Sequence, residues 1–239
     1  MASGIYAALS GAIASEAKVD ILSHNLANAQ SAGFQGFRAV METAQGKVNN
    51  NELTFAAKPL AITDTSQGPL VNTEDPLDLA LSNGVYIGVD EAGKTGYVRG
   101  ATLIPMEDGR LLTTDGQTVL NDSGSPMVVP GNARDLRVFP DGSVTADGVT
   151  VGQLNLVRFQ NEQALQQSKG RLVIDAGNAN PVSAADSNPV MSGYLEMANV
   201  SAVKSMTDLI SAQHSYSASI KMIESIDSLE KKAASGLIG

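Results

Sequence analysis

The chain has no cysteine and no tryptophan, and aromatic residues make up only 4% of its 239 residues. Without cysteine, a disulfide framework, a thiolate metal site and a cysteine nucleophile are all excluded. No apolar run approaches the roughly 20 residues that a helix needs to cross a bilayer. The first lysine is Lys18, so the chain opens without the basic start of a secretory signal. We therefore expect no membrane insertion, and either a cytosolic protein or one exported without a cleaved leader.

The formal net charge of −9 is distributed unevenly. Residues 1–50 carry three basic and three acidic side chains, residues 51–190 carry nine and seventeen, and residues 191–239 carry four and five. The acidic middle opposes binding to nucleic acid or anionic lipid through long-range repulsion. The nearly neutral ends are suited to packing against other helices.

The N-terminal stretch, residues 3–37, begins with helical periodicity and has almost no charge. The pattern pauses at Ser15 and Glu16, and we expect the helix to end between Ala29 and Ala32. Gly33 follows, and it can adopt the positive φ at which helices commonly stop. The apolar positions that step by threes and fours, or their sums, are Ile5, Leu9, Ala12, Val19, Leu22 and Leu26.

Residues 38–67 are polar and turn-rich, and we interpret them as an extended connector with at most short strands. From residue 68 to about 174 the apolar period changes to two, which favours strands, and residues 175–193 are again irregular. Turn dipeptides that favour tight hairpins separate the apolar runs. These turns are Asn83-Gly84, Asp108-Gly109, Asp115-Gly116, Asp141-Gly142 and Asp147-Gly148. The sequence therefore predicts a compact antiparallel β domain over residues 68–190.

The C-terminal stretch, residues 191–239, returns to helical spacing. Asn199 or Ser201 is a plausible N-cap, and Gly236 a plausible stop. The positions that repeat every three or four residues are Met206, Leu209, Gln213, Tyr216, Ile220, Ile223 and Ile226. The predicted fold class is α+β: a compact antiparallel β domain between long terminal helices that pack as an antiparallel, coiled-coil-like pair.

One motif matches the phosphate-binding loop pattern G-x-x-x-x-G-K-[ST], at residues 88–95 (GVDEAGKT). Such a loop binds phosphate through backbone N–H groups and a following helix N-terminus. Here Asp90 and Glu91 would place negative charge in the cradle, and a strand pattern follows Thr95. A hairpin turn explains the same residues, so we predict a hairpin rather than a nucleotide site.

No other pattern indicates catalysis or metal binding. The only histidines, His24 and His214, lie in predicted helices, and no G-x-S-x-G elbow accompanies them. The Asp-Gly turns lack the calcium-loop spacing D-x-[DN]-x-[DN]-G. Glu74 and Asp75 fit a solvated surface. We therefore predict no enzyme activity, no cofactor and no metal site.

Several blocks, in order along nearly the whole chain, resemble the bacterial flagellar rod and hook family. Asn25-Leu-Ala-Asn28 followed by Gly33-Phe34 is similar to the N-terminal signature of that family. Blocks similar to its β domain and C-terminal helix occur at residues 75–81 (DPLDLAL), 96–100 (GYVRG), 108–117 (DGRLLTTDGQ), 151–159 (VGQLNLVRF), 192–200 (SGYLEMANV) and 212–216 (AQHSY). The modest length and single β domain resemble the rod proteins rather than the larger hook protein. His24 and residues 214–217 (HSYS) favour a proximal over a distal rod subunit.

The resemblance implies a structural subunit that is exported by the flagellar type III apparatus and assembled, with itself and neighbouring rod proteins including the distal one, into a periplasm-spanning helical rod. It also implies that residues 1–37 and 191–239 form the axial core and that the β domain faces outward. We expect Asn25, Leu26, Asn28, Gly33 and Phe34 to set the end and exit angle of the first helix. The helix-packing face is expected at Leu9, Leu22, Met206, Leu209, Ile220 and Ile223.

From the sequence alone, two other classes of protein function remain open. One is an adhesin-like or scaffold module with a helical stalk, which would not depend on flagellar export. The other is a nucleotide-binding protein that uses residues 88–95, in which Lys94 would be essential.

Overall fold

The structure is a computed structural model that describes residues 2–40, 43–48, 51–56, 60–131, 133–168, 172–175, 177, 179–184 and 188–236. The chain divides into two compact units. The helical unit consists of Met1–Ala27, Phe37–Ile62 and Ser201–Gly239. The β unit consists of Asn28–Gly36 and Thr63–Val200.

The helical unit contains two long helices and a short β segment. The helices are α1 (Ala2–Ala27) and α2 (Ala202–Gly236). The strands are β1 (Phe37–Val40), β2 (Thr43–Val48), β3 (Asn51–Ala56) and β4 (Leu60–Thr63). Strand β1 pairs with β4, and β2 pairs antiparallel with β3 from Thr43 opposite Ala56 to Val48 opposite Asn51. The predicted connector at 38–67 therefore includes paired strands, while 41–42, 49–50 and 57–59 lie outside the described residues.

The predicted coiled-coil-like pairing of the terminal helices is wrong. A coiled-coil seam is filled by large a and d side chains that insert into holes on the partner helix. In α1 and α2, the fully buried apolar positions are alanines, such as Ala8, Ala12 and Ala212. Leu9 and Met206 remain 45% and 51% exposed. The helices are in contact, but small residues make the close approach, so no knobs-into-holes seam forms.

The register of the contact shows that the helices run antiparallel. A methyl group placed on Gly4 would lie 3.6 Å from Ile226 Cδ1, and one placed on Gly11 would lie 3.4 Å from Ser219 Oγ. Residues early in α1 thus face residues late in α2. Glycine permits this close approach because it carries no Cβ. The broad class α+β describes the chain, which has two helices with antiparallel strands between them.

The end of α1 and the start of α2 are each explained by a local hydrogen bond. Helix α1 ends at Ala27, earlier than expected, because residues 28–31 form a turn in which Ser31 N donates to Asn28 O at 3.0 Å. Helix α2 begins after Ser201, whose Oγ accepts a hydrogen bond from Lys204 N at 3.4 Å. Ser201 is therefore the N-cap. The described part of α2 reaches Gly236, and residues 237–239 lie outside it.

The β unit is built from short antiparallel strands. The central sheet has the order β16-β17-β8-β7-β11-β10-β9-β6-β19, with β15 on β7 and β18 on β15. Strands β12, β13 and β14 form a separate sheet, and β20 pairs with β5. The bounds are β5 Leu70–Asn72, β6 Asp78–Leu81, β7 Val85–Glu91, β8 Lys94–Val98, β9 Gly100–Pro105, β10 Leu111–Thr113, β11 Thr118–Val119, β12 Leu136–Val138, β13 Ser143–Ala146, β14 Val149–Gln153, β15 Leu156–Phe159, β16 Leu165–Gln167, β17 Val173–Asp175, β18 Pro181–Ser183, β19 Val190–Ser192 and β20 Tyr194–Glu196. A single-turn 3₁₀ helix, Glu162–Ala164, precedes β16.

Buried apolar side chains of these strands form the core of the β unit. Strands β6 and β7 are buried along most of their length, including Leu79, Leu81, Val85 and Ile87, each fully inaccessible to solvent. Burial of a side chain of this size stabilises a fold by about 1.5–3 kcal/mol. The described core of this unit is therefore much richer in large side chains than the helix contact.

Four of the five predicted hairpin turns are confirmed: they join the paired strands β9–β10, β10–β11, β12–β13 and β13–β14. Asn83-Gly84 instead connects β6 to β7, which do not pair with each other. Gly84, Gly109, Gly116, Gly142 and Gly148 all have positive φ, between +75° and +85°. These backbone conformations favour glycine because an L side chain would crowd the backbone.

The hairpin interpretation of residues 88–95 is also confirmed. Strands β7 and β8 pair from Ile87 opposite Val98 to Glu91 opposite Lys94. Ala92 and Gly93 form the two-residue turn, with φ of +53° and +83°. Two positive φ values in succession are typical of a type I′ hairpin. A strand follows Lys94 rather than a helix, so the backbone geometry that a phosphate loop requires is absent from this hairpin.

Candidate assembly site

The end of α1 is fixed by the side chain of Asn25. Asn25 Nδ2 donates to Phe37 O at 2.7 Å, and Phe37 N donates to Asn25 Oδ1 at 2.8 Å. Asn25 is only 6% exposed, and Leu26 beside it is half-buried. The ring of His24 lies 5.3 Å from that of Phe37, measured between centroids. A single amide thus satisfies both backbone groups of Phe37 and holds β1 at the helix end.

The segment that follows, residues 28–36, belongs to the β unit. Gly33 is buried with a φ of +69°, and its N–H donates to Glu196 O at 2.6 Å. Phe34 is 1% exposed, and its carbonyl accepts a hydrogen bond from Asn199 N at 3.3 Å. Asn28 is half-buried and closes the turn at the start of the segment. The predicted role of Gly33 and Phe34 in setting the chain direction remains a prediction, but both are anchored here by the segment that leads into α2.

Asn199 provides a second amide clamp, at a position where the sequence pattern predicted only a helix cap. Its Oδ1 accepts from Gly36 N at 2.8 Å, and its Nδ2 donates to Asp64 O at 2.8 Å and to Ser66 O at 2.9 Å. One side chain therefore joins two segments that are far apart in sequence. In the sequence, the importance of Asn199 was indicated by its place in the block at residues 192–200, which resembles the rod and hook family.

The β unit also contains a buried ion pair. Arg99 Nε donates to Glu196 Oε2 at 3.1 Å, and the two side chains are 1% and 3% exposed. Glu196 Oε1 accepts from Gly68 N at 2.9 Å, and Arg99 Nη2 donates to Asn83 Oδ1 at 3.0 Å. Buried charges persist only when they are paired and hydrogen-bonded. Arg99 and Glu196 therefore join the sheet to the segments on either side of it.

Tyr86 extends this cluster. The Arg99 guanidinium carbon lies 5.9 Å from the centre of the Tyr86 ring, within the range of a cation–π contact. Burial raises the pKa of the Tyr86 hydroxyl, and the Glu162 carboxylate raises it further. Tyr86 therefore stays neutral throughout the physiological range, and it packs edge-on against Phe159.

The predicted helix-packing residues fall into two groups. Leu22, Leu209, Ile220 and Ile223 are half-buried in the helical unit. Leu9 and Met206 point away from the buried alanines and remain about half exposed. Near the middle of the helix pair, an open groove of ≈ 400 Å³ is lined by Glu16, Val19, Gln213, Tyr216 and Ser217. The α1–α2 contact alone therefore leaves part of the apolar surface of both helices open.

The residues considered for chemistry do not converge on a site. His24 lies at the end of α1 and His214 is exposed on α2. In the β unit, Asp75 Oδ1 accepts a hydrogen bond from Leu77 N, as a turn residue does. Within the described ranges, no three His, Cys, Asp or Glu residues could hold a metal ion together. In that same part of the chain, no helix combines the length and apolarity of a bilayer span.

The two ends of the chain, which contain the clamps, match known families. The family described as "Flagella basal body rod protein" matches residues 5–35, and "Flagellar basal body rod FlgEFG protein C-terminal" matches residues 191–236. The flagellar basal-body rod protein FlgF of Escherichia coli is 31% identical, over 93% of each chain. This chain belongs to the flagellar basal-body rod protein family. The FlgF of Rhizobium meliloti is 28% identical over 88% of this chain and 87% of its own, and the FlgG of Bacillus subtilis is 27% identical over 96% and 97%.

Several residues of the sequence blocks described above lie within the two family matches. The N-terminal family match covers Asn25, Asn28, Gly33 and Phe34, and the C-terminal match covers Glu196 and Asn199. Both matches thus contain residues whose side chains hold separate segments of the chain together. The relatives are structural rod proteins by name, which is consistent with a protein that is not an enzyme.

Proposed function

We propose that this chain is a structural subunit of the bacterial flagellar basal-body rod and has no catalytic activity. The observation that carries the proposal is the match to the Escherichia coli rod protein FlgF over 93% of both chains. A match of that extent includes the helical unit and the β unit. The described residues contain buried polar clamps and an ion pair, arranged to hold segments together rather than to face a substrate.

The distribution of charge supports an assembly with the helical unit inside. The helical unit carries eight basic and eight acidic residues and is therefore neutral, whereas the β unit carries eight basic and seventeen acidic residues, a net charge of −9. Neutral surfaces can approach copies of themselves without long-range repulsion, and strongly acidic ones repel each other. We therefore place the helices in the inner wall of a helical tube and the β unit on its outside.

In this assembly, residues 1–37 and 191–239 form the axial core, residues 38–67 the connector and residues 68–190 the outer domain. Asn25, Leu26, Asn28, Gly33 and Phe34 set the direction in which the chain leaves α1. The partners are other copies and neighbouring rod proteins, including the distal rod protein. His24 and residues 214–217 favour the proximal position.

We further propose that the chain reaches the rod through the flagellar type III export apparatus. The test compares basal bodies and periplasmic extracts from a wild-type strain and from a strain whose flagellar export ATPase is inactive. The chain is expected in wild-type basal bodies, and neither in the periplasm nor in basal bodies of the export mutant. Periplasmic accumulation that is independent of the export ATPase would contradict the export route. Complete rods in a strain that lacks this chain would contradict the structural role.

A further inference from the structure

The helical unit exposes two apolar stripes of matching spacing. Stripe A, on α1, consists of Tyr6, Leu9 and Ile13, which are 58%, 45% and 45% exposed. Stripe B, on α2, consists of Val203, Met206 and Ile210, which are 77%, 51% and 54% exposed. Both follow the spacing i, i+3, i+7, which places three side chains in line along one face of a helix.

Each stripe faces away from the contact between α1 and α2. At 3.6 residues per turn, the centre of stripe A lies roughly 110° around the helix from the face that contains Ala8 and Ala12. Stripe B lies roughly 150° around the helix from Ala212. The stripes therefore cannot cover each other within one chain.

The stripes also lie near opposite ends of the helix pair. Because Gly11 faces Ser219, Leu9 lies beside the C-terminal half of α2, and Met206 lies level with the end of α1. At 1.5 Å per residue, the two are roughly 22 Å apart along the axis. A copy displaced along the axis can bring its stripe A level with stripe B of its neighbour.

The size and charge of the stripes indicate the kind of contact they can make. No Asp, Glu, Lys or Arg precedes Glu16, so stripe A has no charged neighbour on its own helix. A patch of three partly exposed apolar side chains, such as each stripe, can mark an interaction site. It is far smaller than the ~1,200–2,000 Å² that a stable pair of proteins buries. A single contact of this kind therefore cannot hold a free dimer, but it can act in an array in which each copy makes several contacts.

We propose that stripe A of one copy packs against stripe B of the next copy in the rod. The inference rests on the proposed function. The contact is heterologous, because a different surface is used on each side. It leaves stripe A free at one end and stripe B free at the other, so it can repeat around an axis. A pairing of A with A would instead close a two-fold dimer and leave both B stripes uncovered.

The test uses engineered cysteines, for which the natural chain supplies no background because it contains none. A chain with both Leu9→Cys and Met206→Cys replaces the native copy in motile cells. Purified basal bodies are oxidised with copper phenanthroline and separated on a non-reducing gel. A disulfide requires Cα atoms within about 7 Å, so the roughly 22 Å between these positions prevents a bond within one chain. We expect dimers and higher species, which are lost on reduction.

Two controls separate this contact from others. Leu9→Cys alone and Met206→Cys alone should give no dimer, whereas a mixture of the two single variants should give dimers without higher species. A matched pair on exposed positions of other helix faces, Lys18→Cys with Lys204→Cys, should not cross-link. Dimers from Leu9→Cys alone would show that A packs on A and would overturn the proposal.

Each remaining outcome also tests either the stripe pairing or the rod function. If the double variant is present in basal bodies but does not cross-link, the stripe pairing is wrong while the rod function stands. If it fails to enter basal bodies, the charged pair Leu9→Lys and Met206→Glu is used. Each change alone should stop assembly, and the two together should restore it, so a failure to restore contradicts the pairing. If the unsubstituted chain is absent from basal bodies, the rod function fails, and the pairing built on it fails too.

Discussion

Single side chains complete the backbone hydrogen bonds where the terminal segments meet strands. Asn25 satisfies both polar groups of Phe37, Asn199 accepts from Gly36, and the Glu196 carboxylate accepts from Gly68. Buried backbone groups need partners, and irregular segments cannot supply them through a regular ladder. Amide and carboxylate side chains therefore define the path of the chain at these points.

Gly33→Val should abolish motility while the strands of the β unit stay folded. Gly33 has a φ of +69° and is buried, and a β-branched residue strongly disfavours that conformation. Swimming in soft agar and the far-ultraviolet circular dichroism of the purified chain measure the two effects. The control is Gly124→Val, at a φ of +76°, where an added Cβ has no atom within 4 Å. A motile Gly33→Val strain would show that this conformation is not needed for assembly.

Arg99→Ala should lower the free energy of unfolding of the β unit by roughly 3–5 kcal/mol, because it leaves the buried Glu196 carboxylate without its partner. Urea unfolding of the purified chain measures this loss. The matched control is Arg137→Ala, whose ion pair with Asp135 is 65% and 55% exposed and, because solvent screens it, should change stability little. Equal losses for the two variants would mean that the buried pair contributes no more than the surface pair.

Gly68→Ala should destabilise the β unit through a direct backbone clash. A methyl group at this position would lie 2.0 Å from Met197 O, so the chain must shift where Gly68 N also binds Glu196. Overpacking of this kind costs about 1–3 kcal/mol, occasionally more, and we expect the upper end. Gly93→Ala is the control, because an added methyl there meets no atom within 4 Å and only its φ of +83° is unfavourable. A smaller effect at Gly68 than at Gly93 would contradict this account.

At the scale of elements, the two units should differ in local stability. The α1–α2 contact buries alanines, whereas the strands of the β unit bury large aliphatic side chains such as Leu79 and Ile87. In the purified monomer at micromolar concentration, we expect amides of α1 and α2 to exchange on the order of a hundredfold faster than those of β6 and β7. Hydrogen exchange with mass spectrometry measures this difference. Equal protection of the helices and of the β strands in the free monomer would contradict this difference between the two units.

The elements also show which features could be predicted from the sequence. The Asp-Gly and Asn-Gly turns were recognisable because positive φ restricts the residue type locally. The contact between the helices was not, because Ala8 and Gly11 are too small to stand out in an apolar pattern, and Ala12 was the one buried alanine that the pattern included. Arg99 and Glu196 were missed as partners because they are 97 residues apart and only the folded sheet brings them together.

At the scale of the whole molecule, the two units differ in net charge. All of the net charge of −9 belongs to the β unit, and the helical unit is neutral. In a repeated assembly, this distribution favours contacts between helical units and keeps the acidic units apart. The neutral unit also exposes stripes A and B, the two apolar surfaces that a single copy cannot cover.

The most direct test of the rod assignment is cryo-electron microscopy of purified basal bodies at side-chain resolution. We expect α1 and α2 of this chain in the inner wall of the rod, with the β unit outside and stripe A of one copy against stripe B of the next. A rod of normal length and composition that contains no copy of this chain would contradict the assignment.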